Sequence, residues 1–204
     1  MSDSPPPAGD PEDAEQLLWS LLNSYTMALG GFIDTYADLE RTAFLSLEEG
    51  AGIAPELVWL LTGARPNLQM VRERLEGLSK LRLDAEAQAE MEAAFRQWDI
   101  ISKLRDRLIH VGATWERGGE ALVIRRRPGR HRGLKDEAEV RLHIRTLHQL
   151  THDVDTIRFR LLCHFAPQIP PVNREVICEG GRRAWRYRPL PPKTRAEGRP
   201  PTQQ

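Results

Sequence analysis

Cysteine is scarce in this chain of 204 residues, which contains only Cys163 and Cys178. Two cysteines are too few for a disulfide framework, and their spacing fits no zinc motif. The count therefore predicts a protein with reduced thiols, and we expect it in the cytoplasm. The first residues, MSDSPPPAGDPEDAEQ, are acidic and rich in proline, unlike the basic and apolar start of a signal peptide.

Long apolar runs and an excess charge of one sign are also absent. No stretch approaches the roughly 20 apolar residues of a transmembrane helix, so we predict no membrane association. Lysine and arginine together number 29, as do aspartate and glutamate, and this balance argues against a dedicated nucleic-acid scaffold. The charge is unevenly distributed along the chain, however, so individual basic segments remain candidates for nucleic-acid binding.

Apolar residues recur at helical spacing along much of the chain. The first helix is predicted to start at Pro11, after the capping residue Asp10, and to end near Gly50. Gly30 and Gly31 lie inside it, where each glycine disfavours the helix by about 1 kcal/mol. We therefore expect one long helix, kinked at the glycines if anywhere.

Four further helices are predicted, at about residues 55–63, 66–81, 85–110 and 136–165. Before the last of them, the segment ATWERGGEALVIRRR changes to a strand-like period and predicts a small β-hairpin. The predicted fold is an all-α bundle of four or five helices with a hairpin before the last long helix. The chain is predicted to divide into a disordered N-terminus at 1–11, the bundle at 12–165 and a disordered Pro/Arg-rich tail at 166–204. The hairpin and a basic loop lie within the bundle at about 113–135. In the tail, EVICEGGRRAWRYRP could alternatively form an edge hairpin.

The helix end WDIISKLRDRLIHVGATW carries Arg105, Asp106 and His110 together. Side chains four apart share a helix face, so Asp106 is expected to orient His110. His110 has the chemistry to move the proton of a ribose 2′-OH or of a leaving oxygen, and Arg105 to hold the scissile phosphate. One histidine is few for both steps, and a two-fold dimer would supply a second.

The stretch RDRLIH resembles the Arg-x4–6-His motif of HEPN-domain proteins, in a likeness that covers roughly residues 15–165. YTMALGGFIDTYADLE is similar to the first long helix of uncharacterised bacterial members. RDRLIHVGATW is similar to their RN-x-L-x-H-G-x-W signature, with Asp106 replacing asparagine and Val111 inserted. The resemblance implies an HEPN-like bundle, a homodimer formed through the motif helices and, in active members, metal-independent RNA cleavage, often beside an antitoxin or regulatory protein. Other members bind without cutting, so both an enzyme and a non-catalytic interaction module stay open.

The motif residues also have structural interpretations. Cations at a helix C-terminus stabilise it by a few tenths to about 1 kcal/mol without any function, and a buried His110 would join the helix to the hairpin. Glu40 is expected to pair with an arginine of the motif helix. His148 and His152 are four apart, and Asp155 is the one candidate for a third ligand, without good spacing, so we predict neither a metal nor another cofactor.

Arginines crowd two segments that we predict to bind RNA. Arginine interleaved with Trp185 and Tyr187 suits a phosphate backbone and unstacked bases, and the alternative is a solvated, solubilising tail. The predicted nucleic-acid-binding residues are Arg125, Arg126, Arg127, Arg130, Arg132, Arg182, Arg183 and Arg186.

Overall fold

The structure is a computed structural model, which describes residues 11–52, 54, 56–57, 67–115, 121–124, 140–166 and 171–189. Five helices with defined ends lie in these ranges: α1 (Pro11–Ala51), α2 (Leu68–Arg82), α3 (Ala85–Val111), α4 (Ile144–Phe165) and α5 (Pro171–Gly181). Three short strands form an antiparallel sheet in chain order: β1 (Thr114–Trp115), β2 (Leu122–Ile124) and β3 (Val140–Leu142). The predicted helical bundle with a small hairpin is confirmed.

Helix α1 runs unbroken through Gly30 and Gly31, which lie on its exposed side. Its buried apolar side chains recur three or four apart, as expected for one face of a helix: Tyr25, Ala28, Phe32, Tyr36, Leu39, Ala43 and Leu47. Near its end, Gly50 lies against Phe165, so closely that a Cβ there would stand 3.0 Å from the ring. Glycine thus permits the close contact of α1 with the end of α4.

Side-chain caps define the starts of α2 and α3. The side chain of Asn67 accepts a hydrogen bond from the backbone of Gln69 at 2.9 Å. The side chain of Asp84 likewise accepts one from Ala87 at 2.9 Å, which satisfies a backbone donor that the helix leaves free. Helix α3 ends before Gly112, whose φ of 77° favours glycine. The predicted bounds of the motif helix are therefore confirmed.

The predicted start of the last long helix is wrong. Helix α4 begins at Ile144, because the preceding residues pair as strand β3 with β2, Val140 opposite Ile124 and Leu142 opposite Leu122. This pairing buries Leu142 completely. The burial stabilises the strand through a contact distant in sequence, which the local helical period does not reveal. The predicted helix at 55–63 and the turn at Gly118–Gly119 lie largely or wholly outside the described residues.

Residues 171–189 also differ from the predicted tail, since they form α5 and a following segment that pack on the bundle. Gly180 contacts the ring of Phe159 so closely that any Cβ would overlap it. Cys163 of α4 and Cys178 of α5 form a disulfide, with their Cα atoms 5.5 Å apart, a usual separation for such a bond. The expectation of two reduced thiols therefore does not hold for this structure. Within the described ranges, no helix combines the length and apolar composition that crossing a bilayer requires.

Candidate functional site

The guanidinium of Arg105 lies where α3 crosses α1. Its Nη2 is 3.4 Å from Oε1 of Glu40, and its Nη1 donates to Oδ1 of Asp106 at 3.1 Å. Its Cζ lies 5.1 Å from the centre of the Tyr36 ring, within cation–π range. The predicted pairing of Glu40 with a motif arginine is confirmed. Two carboxylates and an aromatic face already surround this guanidinium.

Tyr36, beneath Arg105, is the centre of a small hydrogen-bond network. Its hydroxyl lies 2.7 Å from Oγ of Ser102 and accepts a bond from the Trp98 indole at 3.3 Å. Burial raises the pKa of Tyr36, so its phenol stays protonated at neutral pH. The ring that supports Arg105 is therefore held in place by two side chains of α3.

His110 lies apart from this cluster. It is exposed in the last turn of α3, so it is not the buried joint between helix and hairpin that one interpretation predicted. In the described part of the chain no hydrogen bond joins His110 to Asp106, which instead accepts from Arg105. Five helical residues correspond to a rotation of about 140° beyond a full turn. Arg105 and His110 consequently project in different directions.

Arg105 and Asp106 also line a cleft of about 240 Å³ at the start of α2. Arg72 reaches its edge and binds Asp99 at 3.1 Å, while Lys103 binds the other oxygen of Asp99 at 2.6 Å. The hydrogen bond from Lys103, followed by that from Arg72, holds the pKa of Asp99 below its ordinary value. The lining itself carries two arginines and two carboxylates, so it offers no excess positive charge to a phosphate.

The two histidines four apart on α4 have separate surroundings. Nδ1 of His152 lies 3.2 Å from Oδ1 of Asp153, whereas His148 is exposed. Among the described residues, no three histidine, cysteine or acidic side chains converge as metal ligands. Asp153, the neighbour of His152, binds the backbone of the chain after α5 instead.

Asp153 is fully buried and fixes the chain after α5. Its two oxygens accept hydrogen bonds from the backbone nitrogens of Arg186 and Tyr187, each at 2.8 Å. The Gln97 side chain donates to the same carboxylate at 2.8 Å and to the Tyr187 carbonyl at 3.0 Å. Sequence reasoning missed this site, although an aspartate between Leu150 and Val154 on the apolar face of a helix was a usable signal.

Arg160 fixes the start of the same stretch. Its Nε donates to the carbonyl of Gly181 at 2.6 Å, and its Nη1 to that of Glu90 at 3.1 Å. Its Cζ lies 4.5 Å from the centre of the Trp185 ring. Burial lowers the pKa of Arg160, and the Glu90 carboxylate opposes that change. A buried arginine thus joins three parts of the fold.

Solvent exposure alternates along residues 184–188. Trp185 and Tyr187 are half-buried and pack on the core, whereas the arginines of this stretch are exposed. We call residues 182–188 the arginine segment; its exposed cations are Arg182, Arg183, Arg186 and Arg188. The other predicted RNA-binding residues, Arg125, Arg126, Arg127, Arg130 and Arg132, lie outside the described residues.

Comparison of the chain with protein-family models, with curated proteins and with solved structures gives no match. The HEPN resemblance therefore stays a prediction that rests on the motif and on its position at a helix end.

Proposed function

We propose that this chain is a non-catalytic, HEPN-like helical module that binds RNA through the arginine segment. The observation that carries the proposal is the buried Asp153 carboxylate, which accepts hydrogen bonds from the backbone nitrogens of Arg186 and Tyr187 and so fixes their position on the bundle. A segment that is ordered before it binds loses less conformational entropy on binding. The exposed arginines are thus displayed on a scaffold rather than on a free tail.

The chemistry of the arginine segment suits a phosphate backbone. Its sequence, RRAWRYR, contains four arginines and no carboxylate, and guanidinium groups bind phosphate oxygens through paired hydrogen bonds. Trp185 and Tyr187 face the core, so they do not serve as the platforms for stacked bases that the sequence suggested. We therefore expect binding that depends on charge and tolerates many base sequences.

The Arg-x4-His motif, in this proposal, has a structural role. The Arg105 guanidinium is bound by Glu40 and Asp106, and a scissile phosphate would have to displace them. A general acid or base must lie within hydrogen-bonding reach of the reacting group, whereas His110 projects away from Arg105. These contacts support a connection between α1 and α3 instead of an active site.

A binding titration tests the proposal. Fluorescence anisotropy with a fluorescein-labelled, U-rich single-stranded RNA measures affinity over a range of salt concentrations. We expect the variant R182Q/R183Q/R186Q to lose at least about tenfold in affinity, with a salt slope smaller by roughly 2, because about 0.7 counterions are released per phosphate neutralised. The matched control R74Q/R82Q/R96Q removes three exposed arginines elsewhere and should bind like wild type. The proposal is contradicted if wild-type protein does not bind the RNA, or if the control variant loses as much affinity as R182Q/R183Q/R186Q.

Exposed His110 favours a second candidate, a metal-independent ribonuclease. Two copies related by a two-fold axis would bring the ends of α3 together, so that each copy supplies one histidine. The exposed side chains of Asp106 and His110 leave that end of the helix available to a second copy, to RNA or to an antitoxin or other regulatory protein. The cleavage assay described in the Discussion separates this candidate from the first.

A further inference from the structure

The disulfide between Cys163 and Cys178 lies next to the arginine segment in the chain. It joins the C-terminal turns of α4 and α5, and the arginine segment begins four residues after Cys178. Both cysteines are half-buried, which leaves the bond within reach of a small reductant. A covalent bond that can be reversed therefore precedes the proposed RNA-binding surface.

Besides the disulfide, close contacts at its C-terminal end hold α5 on α4: Gly180 lies against the ring of Phe159, and the Gly181 carbonyl accepts a hydrogen bond from Arg160. The side chains of residues 173–176 are exposed, including Val176 at 64%. Gly180 and Gly181 provide close packing but no side chains of their own. An isolated helix of 11 residues is marginal in water. The disulfide therefore adds a covalent constraint at the end of α5 that leads into the arginine segment.

We propose that the Cys163–Cys178 bond is a redox clasp on the arginine segment. When oxidised, it holds α5 and the arginines that follow in the arrangement that binds RNA. When reduced, α5 loosens and affinity falls, although Asp153 still holds Arg186 and Tyr187. This inference rests on the proposed RNA-binding function and adds its regulation.

The chemistry requires a dithiol reductant. One of its thiolates attacks a cysteine sulfur, the S–S bond breaks, and a mixed disulfide forms with release of the other cysteine as a thiolate. The second thiolate of the reductant then displaces the remaining cysteine. Two electrons pass to the protein, both cysteines end as protonated thiols, and the reductant ends as its own disulfide.

Protease sensitivity tests the clasp without RNA. The full chain is compared in its oxidised form and after reduction with dithiothreitol and alkylation with iodoacetamide. We expect trypsin to cleave after Arg182 and Arg183 about tenfold faster in the reduced form, because local opening controls cleavage. Cleavage after Arg186 should change less. The variant C163S/C178S should resemble the reduced form before and after treatment. Equal rates in both forms, or two reactive thiols in protein never exposed to reductant, overturn the clasp.

RNA affinity tests the regulation. With the labelled U-rich RNA, the oxidised chain should bind about tenfold more tightly than the reduced and alkylated chain, a factor that corresponds to about 1.4 kcal/mol. C163S/C178S should show no response to reduction. Faster cleavage with unchanged RNA affinity overturns the regulation and leaves RNA binding intact. If neither form binds RNA, the proposed function fails and its regulation with it, while the cleavage rates still decide whether the clasp exists.

Discussion

The backbone nitrogen of Tyr187 donates a 2.8 Å hydrogen bond to the carboxylate of Asp153, across 34 residues of chain. Asp153 has no exposure to solvent, and a buried carboxylate is tolerated only when donors surround it. Two backbone nitrogens and the Gln97 amide meet that need. The position of the arginine segment is therefore part of the packing of the bundle.

Replacing Asp153 by asparagine should detach this segment. Asparagine keeps one oxygen but turns an NH₂ group toward backbone donors, so we expect the free energy of unfolding to fall by about 2–4 kcal/mol. Trypsin should also cut faster after Arg186. Urea denaturation and mapping of the tryptic fragments measure the two effects. The control Asp155→Asn changes a partly exposed aspartate two residues later and should lower the free energy of unfolding much less. A similar decrease in both variants would contradict the anchoring role of Asp153.

The contact between Arg105 and Glu40 should be measurable as a coupling energy. We expect E40Q and R105Q each to destabilise the chain, and the double variant to cost less than their sum by about 0.5–1 kcal/mol, because the pair is partly buried. Urea denaturation of all four proteins gives the value. The exposed pair Glu92 and Arg96, 3.7 Å apart, is the matched control and should show coupling near zero. Coupling no larger than in the control would remove the structural role of the motif arginine.

Local signals in the sequence were sufficient for most of the helices. Asp84 and Gly112 mark the ends of α3 because capping depends on neighbouring residues alone. The pairing of Glu40 with a motif arginine was also predictable, since a carboxylate in an apolar helix face needs a partner.

Long-range contacts account for what the sequence did not reveal. Strand β3 forms because Val140 and Leu142 find partners in β2, and a helical period cannot exclude that pairing. Helix α5 depends on Cys163, Phe159 and Arg160 of another helix, so its own Gly-rich and Arg-rich sequence resembles a tail. The spacing of four between Asp106 and His110 was the basis for expecting Arg105, Asp106 and His110 to project together. The spacing of five between Arg105 and His110 turns their side chains in different directions instead.

Acid should weaken the contacts of Asp99 with Lys103 and Arg72. Its pKa is lowered from 3.8, first by the hydrogen bond from Lys103, so its contribution to stability is present above that ordinary value. The contribution is lost as pH falls through the lower folded pKa. Urea denaturation between pH 2 and 6 should therefore show a smaller loss of stability in acid for Asp99→Asn than for wild type. Lys103→Met removes the hydrogen bond from Lys103 and should also reduce the loss of stability in acid. Parallel curves for all three proteins would contradict this account.

Cleavage of RNA by the wild-type chain decides between the two candidate functions, and His110 is the residue to change. His110 is exposed, so His110→Ala should alter the free energy of unfolding by less than about 1 kcal/mol, the usual limit for a cation at a helix C-terminus. A loss of cleavage could then not be explained by unfolding. The control His148→Ala removes another exposed histidine.

The assay uses structured and single-stranded RNA with EDTA present, and it looks for 2′,3′-cyclic phosphate ends, the product of attack by the 2′-OH. If the motif is structural, wild type forms no such ends, because Arg105 is bound by Glu40 and not by phosphate. His110→Ala should then bind RNA as wild type does. If wild type does form them, and His110→Ala lowers the rate by roughly 10²–10⁴-fold while His148→Ala does not, the non-catalytic proposal is wrong. His110 would then be an acid or base whose partner groups come from RNA or a second copy, since Arg105 of the same helix points elsewhere.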